Sequence, residues 1–194
     1  MNYTAEEVIE RAKSGVGYDY IPEDYWWAFI RRNKDEQMPN QFNDIANLMH
    51  GDRLVMSTTC TTVPGLPALQ GGFRKYNKDG AAVVCAGIWM YKAFKFGLHS
   101  GRMRCLRQDK WIWSTRDGDL DSIAEEQGKK SYGMWNTNIH AASYKYLDKL
   151  IRKWIGAWSY GCLVCNNRKE YDPMIDLCEF QDGVSVIILD EWSI

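Results

Sequence analysis

The sequence predicts a mainly β domain of the α+β class with a few short helices. Three observations carry that expectation. Compact apolar and aromatic runs recur at 26–33 (WWAFIRRN), 81–91 (AAVVCAGIWMY) and 184–192 (VSVIILDEW), each short enough for a buried strand. Two further segments, 42–62 and 103–119, have strand-like halves separated by turn-forming residues. Only two stretches, 4–14 and 143–156, repeat apolar residues at helical spacing.

Each element has a local reason. In TAEEVIERAKS (4–14), Thr4 is an N-cap, Glu7 completes a capping box, and Val8, Ile9 and Ala12 form an apolar stripe. The strand at 26–33 is followed by DEQMPNQFND (35–44), polar and turn-forming. FNDIANLMHGDRLVMSTTCTT then predicts two strands around a turn at His50-Gly51-Asp52. VPGLPALQGG (63–72), with two prolines and three glycines, predicts a loop before the strand at 81–91. MRCLRQDKWIWSTRDGD (103–119) predicts a hairpin turning at Asp109-Lys110, because Met103, Cys105, Trp111 and Trp113 alternate with polar residues. In SYKYLDKLIRKWIG (143–156), Tyr144, Leu147, Leu150, Ile151 and Trp154 predict an amphipathic helix ending at Gly156. The expected organisation is an N-terminal helix-and-strand extension at 1–35 packed on a domain at 36–194. No repeat, low-complexity tract or linker interrupts it.

The chain has 194 residues and a net charge of -1, with Lys and Arg scattered. That length buries roughly two-thirds of the unfolded surface without staples. The charge pattern argues against a nucleic-acid partner. No apolar run reaches the roughly 20 residues of a membrane span, and MNYTAEEVIERAK lacks the apolar region of a signal peptide. Synthesis in the cytoplasm is therefore expected, as is a monomer. Nine Trp and eleven Tyr fit an aromatic-rich core or a cleft for sugar or peptide.

The six cysteines, Cys60, Cys85, Cys105, Cys162, Cys165 and Cys178, are expected as reduced, mostly buried thiols. The segment WSYGCLVCNN sharpens the question, because Cys162-x-x-Cys165 fits a zinc pair, a redox dithiol, a disulfide fragment or one nucleophile with a bystander. A zinc site needs a second close pair of ligands, and a redox pair belongs in a βαβ setting; neither is present in the sequence. A nucleophile needs a base and backbone N–H groups for an oxyanion. Gly161 permits close approach of a substrate, and His140, 22 residues upstream in a strand-like context, can serve as the base.

Asn138-Ile139-His140, then Ile155-Gly156, then Ser159-x-Gly161-Cys162 resembles the signature of L,D-transpeptidase catalytic domains, in the divergent form found among bacteriophage proteins. DIANLMHGDRLVMSTTCTTVPGLP resembles that family's pair of strands leading into a Thr-Pro-Gly loop. The resemblance spans about residues 40 to 190. It implies an L,D-transpeptidase-like β-sandwich and a cysteine nucleophile acting on peptidoglycan stem peptides. His140 matches the general base and Cys162 the nucleophile, with Ser159 and Gly161 framing it. The motif's second His is Tyr160 here and its Arg is Val164, positions that bind substrate and orient the site in the family. The phage-type context implies a peptidoglycan hydrolase, an endolysin acting at the bacterial cell wall. The alternatives are a cross-linking transpeptidase and a catalytically silent cell-wall-binding module. No cofactor or metal is expected, and Cys165 is expected as a small buried side chain.

Two other features stand out. FGLHSGRMR places His99 where it can replace the missing motif His, with Arg102 and Arg104 as candidates to bind a stem-peptide carboxylate. The alternative is a polar loop with a hydrogen-bonded His. Asp117, Asp119 and Asp121 alternate like the first half of a calcium loop, but Ser122 stands where Gly belongs, which favours a solvated acidic turn.

Overall fold

Capping chemistry starts the chain as its sequence requires. Helix α1 (Ala5–Lys13) opens at Thr4, whose side chain accepts from the Glu7 N–H while Glu7 accepts from the Thr4 N–H. The computed structural model describes residues 3–32, 40–126 and 128–191. The polar stretch expected at 35–44 begins, and the expected boundary at 35/36 falls, outside the described residues.

Eight strands close on themselves. They are β1 (Tyr25–Arg31), β2 (Asp44–His50), β3 (Arg53–Thr61), β5 (Met90–His99), β6 (Met103–Gln108), β9 (Asn138–Ala141), β10 (Leu163–Cys165) and β11 (Val184–Asp190). Around the barrel the order is β1-β11-β5-β6-β9-β10-β3-β2, with β2 returning to β1. The β1/β11 and β9/β10 pairs are parallel and the other pairs antiparallel. Three more strands, β4 (Ala81–Val84), β7 (Ile112–Asp117) and β8 (Ser131–Gly133), form a separate sheet in the order β4-β7-β8. The mainly β expectation thus stands, but the large sheet is a closed barrel rather than one half of a sandwich. Closure leaves none of its strands with an unpaired edge.

Period-two alternation sorts the side chains. Trp27 and Phe29 of β1 join the main core with Leu48, Phe94, Leu106 and Val186. Trp26, Ala28 and Ile30 face the other way and pack with Val8 and Ala12 of α1. Both faces of β1 are therefore covered, which is why it reads as a continuous apolar run. Helix α3 (Arg168–Leu177) contributes Tyr171, Met174 and Ile175 to the main core. Among the described residues no helix is long and apolar enough to cross a membrane.

Four local expectations are corrected. The run at 81–91 is two strands in two sheets, broken around Gly87 at φ 71. No hairpin forms at Asp109-Lys110: both N–H groups donate to the Ala93 carbonyl, so β6 stays in the barrel while β7 leaves for the small sheet. The loop at 63–72 contains the short helix α2 (Leu66–Leu69), with a 3-10 turn following at Gly72–Lys75. Residues 143–156 do not form a helix, because other segments capture their backbone. The Leu147 N–H donates to Asp172, the Ser143 carbonyl accepts from Arg168, Arg152 N–H donates to the Asn166 carbonyl, and Ile155 N–H donates to the Asn40 carbonyl. A real helix, α3, sits where the pattern is interrupted by Pro173.

Candidate active site

Strand geometry decides which side chains meet. β9 and β10 run parallel with Leu163 beside Ile139 and Val164 beside His140. Ile139, Ala141, Leu163 and Cys165 enter the main core, so His140 points away from it. Cys162 stands one residue before β10, at the end of the turn that begins at Ser159, and is half-buried. The β5–β6 hairpin brings His99 from a third place in the chain, its ring stacked on His140 with centroids 4.2 Å apart and planes at 22°. One ring nitrogen from each His and the Cys162 sulfur all lie within 4.8 Å of one another.

Hydrogen bonds set the roles of the two imidazoles. His140 is buried, and its Nδ1 lies 2.9 Å from the Ala141 carbonyl oxygen, which can only accept. Nδ1 therefore carries the proton and Nε2 the free lone pair. That Nε2 is buried with no hydrogen-bond partner among the described residues. The Asn138 amide sits 3.0 Å from His99 Nδ1. Burial first, then His99 and Arg168, push the His140 pKa down to about 3, against the Ala141 carbonyl. Burial also lowers that of His99. Burial raises the Cys162 thiol to about 11, opposed by the Asn138 backbone N–H. Near neutral pH the pair is a thiol beside a neutral imidazole, not an ion pair.

The turn that presents Cys162 is held from both ends. Ser159 is buried, and its hydroxyl donates to the Cys162 carbonyl at 2.8 Å while accepting from the Gly161 N–H at 3.3 Å. Gly161 has φ 126, and a Cβ there would sit 2.8 Å from the Ala82 carbonyl oxygen of β4. No other residue fits without moving backbone. Thr137 donates to the Gly161 carbonyl. Gly65 passes so close to Gly156 that a Cβ would meet its carbonyl oxygen at 2.1 Å, which places the Val-Pro-Gly loop against Ile155-Gly156. Ser159 and Gly161 thus position Cys162.

The remaining candidates divide. His99 joins the site. Tyr160 turns aside to pack beside Ala68, Phe73 and Ala81, with its ring edge-on to Tyr76. Arg102 is exposed in the β5–β6 turn. Arg104 is corrected as a free carboxylate binder: its guanidinium is paired with Asp176 and Glu179 of the α3 region, the latter at 2.6 Å. Cys165 lies in the core, on the opposite side of the strand from the site, and all six cysteines are free. The acidic stretch closes on itself: Asp119 accepts from the Asp121 N–H, Asp121 from Ile123 N–H and Asp117 from Glu125 N–H. Among the described residues those carboxylates do not gather into a ligand cluster.

Thr137 and the Ala141 carbonyl were not singled out from sequence, and Asn138 entered only as a motif position without a role. Alternation around His140 was the available signal for Asn138, since residues two apart on a strand share a face. Comparison with family profiles, curated proteins and solved structures finds no match to this chain.

Proposed function

We propose that the protein is a cysteine-nucleophile peptidoglycan hydrolase acting on stem peptides or their cross-links, as the motif resemblance implies. The observation that carries this reading is the approach of Cys162 Sγ and a ring nitrogen of His140 to within 4.8 Å across 22 residues of sequence, with His140 Nε2 buried and without a hydrogen-bond partner among the described residues. Because both groups rest neutral, His140 acts as a general base in concert with attack rather than after a pre-formed thiolate. The Cys162 sulfur bonds to the scissile carbonyl carbon while its proton moves to His140 Nε2. The Cys162 backbone N–H is the donor assigned to the oxyanion. Collapse breaks the C–N bond, the leaving amine takes the proton from Nε2, and a thioester remains. Water then attacks the thioester carbonyl, with Nε2 taking its proton; the C–S bond breaks, the sulfur takes that proton back, and the carboxyl product leaves.

Incubation with purified sacculi tests this directly. Soluble fragments with new amine and carboxyl ends should appear, and Cys162→Ala should release none. New cross-links instead of fragments would make the protein a transpeptidase. The departures at Tyr160 and Val164, and the burial that raises the Cys162 thiol, favour the silent binding module. Sacculus binding without any covalent change, together with slow alkylation of Cys162 by iodoacetamide, would establish that alternative.

A further inference from the structure

Three metal-binding donor types meet at one point, from three separate parts of the chain. His99 ends β5, His140 lies in β9, and Cys162 precedes β10, yet one donor atom of each falls within 4.8 Å of the others. A second observation concerns His140 alone. Its side chain is 1% exposed, and Nε2 has no hydrogen-bond partner among the described residues. A buried polar atom left unsatisfied is costly. Meanwhile Nδ1 donates to the Ala141 carbonyl, the outer-shell contact that fixes the tautomer of a metal-bound imidazole and leaves Nε2 as the ligand.

We propose that His99, His140 and Cys162 bind a zinc-class divalent cation, with a fourth position open to water. One thiolate and two imidazoles suit zinc and its neighbours over calcium or magnesium, which prefer oxygen. Tetrahedral bonds of about 2.0–2.3 Å place ligand atoms roughly 3.3–3.7 Å apart. The donor atoms lie within 4.8 Å of one another, and the two imidazoles are stacked at 22°. The half-buried His99 ring must therefore turn out of the stack to aim its in-plane lone pair at the cation, while the Cys162 side chain swings toward it. Asn138 supports the change. Turning its amide lets Oδ1 accept from His99 Nδ1–H, freeing His99 Nε2 for the metal. Binding replaces the thiol proton: the cation bonds to sulfur and one proton leaves to solvent, so affinity rises with pH. The inference rests on donor geometry and not on turnover. Where the acyl-transfer reading holds, the bound cation masks Sγ and inhibits.

Cobalt(II) titration of the reduced, chelator-treated full chain is the test. One equivalent should produce a sulfur-to-cobalt charge-transfer band and intense tetrahedral visible bands, both displaced by zinc. Cys162→Ser should abolish the charge-transfer band. His99→Ala, at a half-buried position, should weaken binding by more than the roughly 10–100-fold typical of an outer-shell loss. Circular dichroism checks that each variant is folded. Cobalt affinity weaker than about 1 mM, or a charge-transfer band that survives in Cys162→Ser, would overturn the site. Alkylation of Cys162 without metal, run in parallel, keeps the two readings apart. Fast alkylation with no cobalt band removes the metal site and leaves the nucleophile. A cobalt band with no wall cleavage by the metal-free protein removes the hydrolase and leaves the metal site.

Discussion

Two cysteines three residues apart have opposite fates because a strand begins between them. Cys165 is fully buried in the barrel core and its thiol is pushed well above the usual range by burial. Cys162 precedes the strand and faces His140. Cys165→Ala should cost on the order of 1 kcal/mol of stability and leave most activity. Cys162→Ala should leave the melting temperature nearly unchanged and abolish wall hydrolysis. Equal destabilisation of the two variants would contradict the assignment. His140 makes a separate prediction. Its pKa is near 3 in the fold and 6.5 unperturbed, so its contribution to stability is full above pH 6.5. That contribution fades as pH falls toward 3, by up to about 1.4 kcal/mol per pH unit. Asp117 runs the opposite way. Burial raises its pKa to about 6, so its contribution is full below 3.8 and lost as pH rises through 6. A bulk stability curve mixes the two. The His140 imidazole resonances should therefore be followed by NMR, and they should not move between pH 7.5 and 5. A midpoint near 6.5 would mean that the ring is solvated.

At the scale of elements, the segment 143–156 shows a helical pattern overruled by side chains of α3. Arg168 and Asp172 are 2% and 0% exposed, 2.6 Å apart, and each spends a second bond on that segment's backbone. Ser143 O and Leu147 N, which would have bonded to each other in a helix, are taken by this pair. Asp172→Ala should destabilise the protein by about 3–5 kcal/mol, because it leaves a buried guanidinium uncompensated. It should also free the 143–147 backbone for proteolysis. A urea-denaturation loss below about 1 kcal/mol would show that the pair does not organise the segment. The same pair bears on the site, since the Arg168 charge helps to keep His140 neutral.

On the scale of the whole molecule, the barrel and the small sheet differ in how they are held. Among the described residues every barrel strand has two neighbours, whereas β4 and β8 each pair only with β7. Amides of β1, β2 and β11, buried on both faces, should exchange hydrogen only through global unfolding. Those of β8, three residues long with Tyr132 exposed, should exchange through a smaller local opening. Native-state hydrogen exchange against denaturant checks this, and equal opening energies for β1 and β8 would refute it. The difference matters for the site because Ala82 of β4 backs Gly161. Loosening the small sheet would loosen the turn that carries Cys162.

What the sequence determined by itself was local. The capping box of α1, the strands expected at 26–33 and 184–192, and the turn at 50–52 were legible because each depends on neighbours in the chain. His140, Cys162, Ser159 and Gly161 were legible as a motif, and His99 as a candidate replacement for its missing His. Only the tertiary structure decided the rest. Closure of the barrel, the division of 81–91 between two sheets, and the separation of β6 from β7 depend on pairings between distant residues, which no local pattern encodes. Residues 143–156 stayed out of a helix because their backbone partners lie at Asn40, Asn166, Arg168 and Asp172. Arg104 lost its expected role for the same reason, its guanidinium being held by Asp176 and Glu179. The site itself follows this rule: the residue types were written in the sequence, but their meeting needed β5, β9 and β10 in one closed sheet.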